Sequence, residues 1–166
     1  MYTMGFLKNL FGINNQQCQQ PQQTKAEAYG EMASDIYKGL TLDQKWAILS
    51  SQFMFAEFAK GTSGEGQAAE MGVFMAVSLK LSPSQMQQYL PKFANLDLMM
   101  NTLKTIENKN VLESVLYNSY GICMLSGKSS AMNVLYQVFG QLGYSRQDVE
   151  DVVQKVEAIG NMMRNL

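Results

Sequence analysis

Histidine is missing from this 166-residue chain altogether. Without an imidazole there is no Ser-His or Cys-His catalytic pair, and the common zinc sites lose their usual nitrogen ligand. Cysteine is nearly absent too. Cys18 and Cys123 are the only two, and neither belongs to a Cys-x-x-Cys pair, so no zinc or redox motif exists. Cys18 sits in a polar tract and Cys123 in an apolar helical run, which is the pattern of two reduced thiols in a cytoplasmic protein. Proline occurs 3 times and β-branched runs are few, which favours helices over strands. A net charge of −1 supplies no basic field for nucleic acid and no acidic tail. No run of about 18 apolar residues occurs, so no membrane span is expected. The N-terminus lacks the long apolar stretch and small-residue cleavage site of a secretory signal.

What is present fits one globular domain. Apolar residues make up 46% and charged residues 16%, and the length suffices for a substantial core. The chain opens MYTMGFLKNLFG. In it Phe6, Leu7, Leu10 and Phe11 recur at i, i+1, i+4 and i+5, one face of a short amphipathic helix over residues 1–12. Residues 13–23 are rich in glutamine and too polar to pack, so they read as a linker. The helical domain is expected over residues 24–166.

Within it the spacing predicts a helix from Thr24 to Lys38, with Ala28, Tyr29, Met32 and Ile36 inward and Gly39 ending it. Thr41-Leu42-Asp43-Gln44 has capping-box form and starts a helix through Ala59, with Trp46, Leu49, Phe53 and Ala56 as its buried stripe. A glycine loop, Gly61 to Gly66, leads into a helix over Gln67 to Lys80. Ser82-Pro83-Ser84-Gln85 signals another start, with Ser at the cap and Pro at the first position, and Pro91 is expected to keep that helix short. Asn95 or Asp97 caps a helix to about Glu107, and Asn110 opens a run to Leu125. Lys128 to Gly140 and Ser145 to Met163 complete about eight helices. The charges in the last run favour helix over strand despite its valines.

The stretch from Gly64 recurs 63 residues later. Ala68 meets Ala131, Met71 meets Val134, Met75 meets Val138, Leu79 meets Leu142, Leu81 meets Tyr144 and Met86 meets Val149. The expected fold is therefore all-α, a single domain with an internal two-fold repeat of glycine turn, helix, break and capped helix.

Several motifs fall short of the chemistry they suggest. A phosphate loop needs Lys and Ser/Thr after its glycines and a strand before them. Gly66 is followed by Gln67-Ala68, and Ile122 stands where the second repeat would need its first glycine. Glu27, Glu31 and Asp35 line one helix face, and Glu57, Glu65 and Glu70 cluster in the first repeat. A hard cation needs six or more converging oxygens, so these read as solvated faces and no metal site is expected. Met54, Met71, Met75 and Met124 read as core filler, and Trp46, Phe53, Phe55 and Phe58 as core aromatics. Gly5 does not satisfy a myristoylation signal, because the glycine must be the second residue of the translated chain and Met1 to Met4 precede it.

The opening Gly-Phe-Leu-Lys-Asn-Leu-Phe and the two related helical halves, each with a glycine turn, resemble the tellurite-resistance TerB-like family. That family's turn carries an Ala-Asp-Gly-type signature, where this chain has Ala59-Lys60-Gly61-Thr62-Ser63 and Leu125-Ser126-Gly127-Lys128-Ser129. The expected Asp is replaced by Lys60 and Ser126, which removes most of the acidic residues tied to metal binding there. The resemblance implies a non-enzymatic, stress-associated scaffold that binds another protein, without cofactor or catalytic residue. Phe6, Leu7, Leu10 and Phe11 are the docking residues expected from the sequence. A weak peripheral membrane contact through the same face is the alternative, since Lys8 is its only nearby positive charge.

Overall fold

The computed structural model of the protein describes residues 33–164, all of it helices and their connections, with no strand among the described residues. Seven α-helices follow one another: α1 (Leu42–Ala59), α2 (Glu65–Ser78), α3 (Met86–Phe93), α4 (Leu96–Leu103), α5 (Lys109–Ser126), α6 (Ser129–Gln141) and α7 (Arg146–Arg164). Short 3-10 helices span Ser34–Tyr37 and Pro83–Gln85. The amphipathic segment over residues 1–12, the linker over 13–23 and most of the expected first helix lie outside the described residues.

The end of that first helix differs from expectation. Ser34–Tyr37 is a 3-10 helix, closed by Gly39 at φ +84°. Ile36, expected inward, is 42% exposed, while Tyr37 is buried and its hydroxyl lies 2.7 Å from Ser114 Oγ. Tightening to three residues per turn rotates the buried face, so the aromatic ring replaces the isoleucine.

α1 and α5 form the centre. α1 begins with the predicted capping box: Gln44 N donates to Thr41 Oγ1 and Thr41 N donates to Gln44 Oε1. The expected stripe is buried, but so are Ala47, Ile48, Ser51, Gln52 and Phe55. The stripe was too narrow because α1 is enclosed by α2, α3, α4 and α5 together. A helix packed on all sides is buried all round. Its largest buried polar side chain, Gln52, pairs across the centre. Gln52 Nε2 donates to Ser119 Oγ (2.9 Å), and Asn118 Nδ2 donates to Gln52 Oε1 (2.7 Å). Ser51 and Ser119 hydroxyls donate back to the carbonyls of Ile48 and Val115.

Two helix ends depart from the sequence reading. α5 is capped by Asn108, whose Oδ1 accepts from Asn110 N, so the cap lies two residues before the expected Asn110. α4 is capped by Asn95 as expected but stops at Leu103 rather than near Glu107. α3 is short as expected, 8 residues, although it runs two residues past Pro91 to Phe93. Proline removes one donor there, and the carbonyl left over belongs to exposed Gln87, which water can serve. Pro83 opens that region as a 3-10 turn without a side-chain cap from Ser82. α7 starts on a reciprocal cap between Ser145 and Asp148, and buries Val149, Val152 and Val153.

Some local geometry recurs along the chain. α1 and α5 are each 18 residues long, start 67 residues apart and follow the side-chain caps Thr41 and Asn108. α2 ends with Lys80 at φ 53° and a bond from Leu81 N to Ala76 O. α6 ends 63 residues later with Gly143 at φ 92° and a bond from Tyr144 N to Phe139 O. Of the residues that the 63-residue spacing matches, Ala68 and Ala131, Met75 and Val138, and Met86 and Val149 are buried. The turns themselves differ. Gly127 ends α5 in the left-handed region, whereas Gly64 precedes α2 with φ −87°. The left-handed glycine after α1 is Gly61.

Candidate interaction face

Phe6, Leu7, Leu10 and Phe11, the docking residues expected from the sequence, lie outside the described residues. The other sequence-marked residues can be followed one by one. In the glycine loop, Gly61 N donates to Glu65 Oε2 (2.9 Å) and Gly64 N to Thr62 Oγ1 (3.2 Å). A Cβ on Gly64 would come within 2.8 Å of the carbonyl carbon of Leu125. The loop's donors are thus turned onto its own side chains, and its backbone is pressed against α5 rather than open to a phosphate. Glu65 serves that turn, and Glu57 faces Lys60 at 3.9 Å. Among the described residues no group of three His, Cys, Asp or Glu side chains is disposed to hold a metal ion. None of the described helices is long and apolar enough to cross a membrane. Trp46, Phe53 and Phe55 are core residues as expected, and the Trp46 ring stacks on Tyr89 with centroids 5.4 Å apart. Cys123 is buried, donates to Ala131 O (3.6 Å), and burial pushes its thiol up to about 12.

Methionine divides into two groups. Met75, Met86, Met99 and Met100 are buried filler. Met124, expected in the core, is 56% exposed. It lies one turn beyond Tyr120 on α5, so the two share a face. α6 runs antiparallel beside them. Cys123 meets Ala131 near the connecting turn, and Tyr120 feels Tyr136 further along. Met132 and Tyr136, also one turn apart, are partly buried against the core. Met124 and Tyr120 on one helix and Met132 and Tyr136 on the other thus form a strip of thioethers and phenol rings.

α7 borders this strip with charge. The Arg146 guanidinium lies 4.6 Å from the centre of the Tyr136 ring and 3.4 Å, through Nε, from Glu150 Oε1. Tyr120 is held above the usual phenol range, first by burial and then by the charges of Glu157 and Glu150 and the phenol of Tyr136. Glu157 is exposed and makes no ion pair among the described residues.

The other flank of α7 borders an open cleft of about 460 Å³, between the start of α5 and the α6–α7 turn. Leu112, Leu142 and Val152 line it with apolar surface. Its charges are largely spent on one another. Glu113 is held between Lys109 (3.6 Å) and Lys155 (3.3 Å), and Asp151 accepts from Gln147 Nε2 (2.8 Å). Asp148 is tied to Ser145, and that hydrogen bonding lowers its carboxyl below 3.8. Ion pairs of this surface kind orient side chains and add little stability. Comparison of the chain with protein-family models, with curated proteins and with solved structures gave no match in any of the three.

Proposed function

We propose that the chain is a non-enzymatic interaction module of the TerB-like kind. It acts in the cytoplasm by holding another protein, in a stress response of the tellurite type. The observation that carries this reading is the strip of Met124, Tyr120, Met132 and Tyr136, with Met124 56% exposed at its edge. Flexible thioethers and rigid phenol rings on a helical frame suit adaptable protein contact. The TerB-like part of the reading is supported by the layout of the two halves. Central helices of equal length follow side-chain caps, and α2 and α6 end in the same left-handed turn. On this reading the domain arose as a duplicated unit, with α1 answering α5 and α2 answering α6.

The opening segment provides a second contact, through Phe6, Leu7, Leu10 and Phe11. Burying four such side chains contributes roughly 1.5–3 kcal/mol each before ordering costs, enough for a reversible dock. The test is in-cell crosslinking and mass spectrometry with the full chain and with a chain lacking residues 1–23. It is run beside melting curves and flotation on anionic vesicles. The reading expects both chains to melt alike and the truncated chain to lose a specific crosslinked partner. Retention of every partner by the truncated chain, or its unfolding, removes the docking role of the segment. Loss of flotation alone replaces the partner by a membrane surface.

A further inference from the structure

We propose that Met124 is an oxidant-sensitive site, whose thioether a peroxide converts to the sulfoxide without unfolding the domain, and that this change regulates the α5–α6 strip. The regulatory half rests on the interaction-module reading. The methionines differ sharply in access. Among the described side chains, Met124 and Met162 are the exposed methionines, at 56% and 62%. Met75, Met86, Met99 and Met100 are buried, none more than 8% exposed. Met54, Met71 and Met132 are partly buried against the core, and the Met71 methyl is tucked onto α5 beside Gly121. Cys123 does not compete for an oxidant, because it is buried and its thiol is held protonated.

The step needs only an encounter between the sulfur and hydrogen peroxide. A sulfur lone pair attacks one peroxide oxygen and the O–O bond breaks. The sulfur keeps that oxygen as S=O, and proton transfer releases the other as water. Sulfur is oxidised by two electrons and the peroxide is reduced by two. No neighbouring base or metal takes part, so access decides which methionine reacts. The buried ones must wait for the domain to open. The place of the product decides its effect. A sulfoxide inside a core disrupts packing. On Met124 it faces water, and the core is spared. It also makes the exposed corner of the strip polar, where Tyr120 one turn earlier already carries a hydroxyl. A flexible thioether suited to adaptable contact becomes a hydrated group that costs free energy to cover.

The test treats the full chain with hydrogen peroxide and follows each sulfoxide over time by peptide mass spectrometry, beside melting curves. Met124 and Met162 should oxidise at least about tenfold faster than Met75 and Met99. A sample with Met124 oxidised and Met75 intact should melt within about 2 °C of the untreated chain. In cells, crosslinks formed through Lys128, an exposed lysine four residues after Met124, read the strip. Peroxide should reduce them severalfold in the parent chain and not in Met124→Leu. Met124→Gln should show the reduction without oxidant, because its amide puts a polar oxygen at a similar reach. Oxidation of Met124 no faster than that of Met75, or a melting temperature that falls as Met124 alone is oxidised, overturns the site. Lys128 crosslinks that ignore peroxide, or that Met124→Leu fails to protect, overturn the regulation and leave the interaction module standing. Absence of any specific crosslink from the untreated full chain removes both the module and its regulation.

Discussion

Gln52 donates to Ser119 across the centre of the protein, Nε2 to Oγ at 2.9 Å. The two residues lie 67 apart in sequence, the same spacing that separates the starts of α1 and α5. They therefore occupy equivalent places on two helices of equal length. Ser51 and Asn118 are equivalent in the same way, and both belong to the same network. The buried polar contact thus joins the two central helices at one matched position. A single register satisfies the amide and both hydroxyls.

Gln52→Ala should therefore be costly. It leaves the Asn118 amide without its acceptor and opens a hole in a fully buried site. Loss of buried partners and of packing together should cost about 3 kcal/mol. Ser119→Ala should cost about 1 kcal/mol, because Gln52 keeps its bond with Asn118. The double variant should lose less than the sum, since each change removes the other's partner. Urea unfolding checks all three, and a loss under about 0.5 kcal/mol for Gln52→Ala would show the network to be dispensable.

Two glycines near the start of α2 should respond in opposite senses. Gly64→Ala drives a methyl into the Leu125 backbone, which cannot move aside as a flexible side chain would. A loss of more than about 2 kcal/mol is expected. Gly66 has open space around it and sits in the first turn of α2. Gly66→Ala should stabilise by about 0.5–1 kcal/mol, the usual helix advantage of alanine. Thermal melts of the two variants decide this, and matching shifts in both would sink the close-approach argument.

Lys80 holds φ 53°, a conformation that side chains disfavour, at the place where α6 has Gly143. Lys80→Gly should raise stability by about 0.5–1 kcal/mol, less than the full left-handed penalty because glycine loses more backbone entropy. Gly143→Ala should lower it by about 1–2 kcal/mol. A lower melting temperature for Lys80→Gly would mean that the lysine side chain contributes more than its backbone costs.

Local signals were legible in the sequence. Thr41 with Gln44, and Ser145 with Asp148, bond within three residues, so their patterns can be read without any fold. Asn108 was missed because Asn110 offers the same chemistry two positions later, and only the backbone path chooses between them. Nothing local marks Gln52 as buried, because its partners Asn118 and Ser119 lie more than 60 residues away in sequence. The ends of α2 and α6 keep the 63-residue spacing seen in the sequence, whereas the starts of α1 and α5 lie 67 residues apart, because the turn between Ala59 and Glu65 is longer than the one between Ser126 and Ser129. The strip was invisible for a related reason. Tyr120 and Met124 carry the same helical spacing as core residues, and only the packing of α6 and α7 shows which side they face.

Cys123 gives the alkaline side of the stability curve a specific shape. Its thiol rises from 9.0 to about 12 on folding, and burial is the cause. Below pH 9 the thiol is protonated in both folded and unfolded chains, so its contribution is fully present. Between pH 9 and about 12 the unfolded chain releases the proton and the folded one does not. The unfolded state then binds fewer protons, and stability falls as pH rises, by at most about 1.4 kcal/mol per pH unit from this group. Tyr37 adds to the fall above pH 10 with the same sign, because burial raises its phenol too. Subtraction isolates the cysteine. The stability of the parent chain minus that of Cys123→Ala should decline from pH 9 to pH 10.5, and a flat difference would show the thiol to be as free as an exposed one. Reactivity gives an independent reading, because the thiolate is the nucleophile. In a Cys18→Ser chain at pH 8.5, alkylation of Cys123 should be at least about a hundredfold slower folded than unfolded, since it must wait for the α5–α6 contact to open.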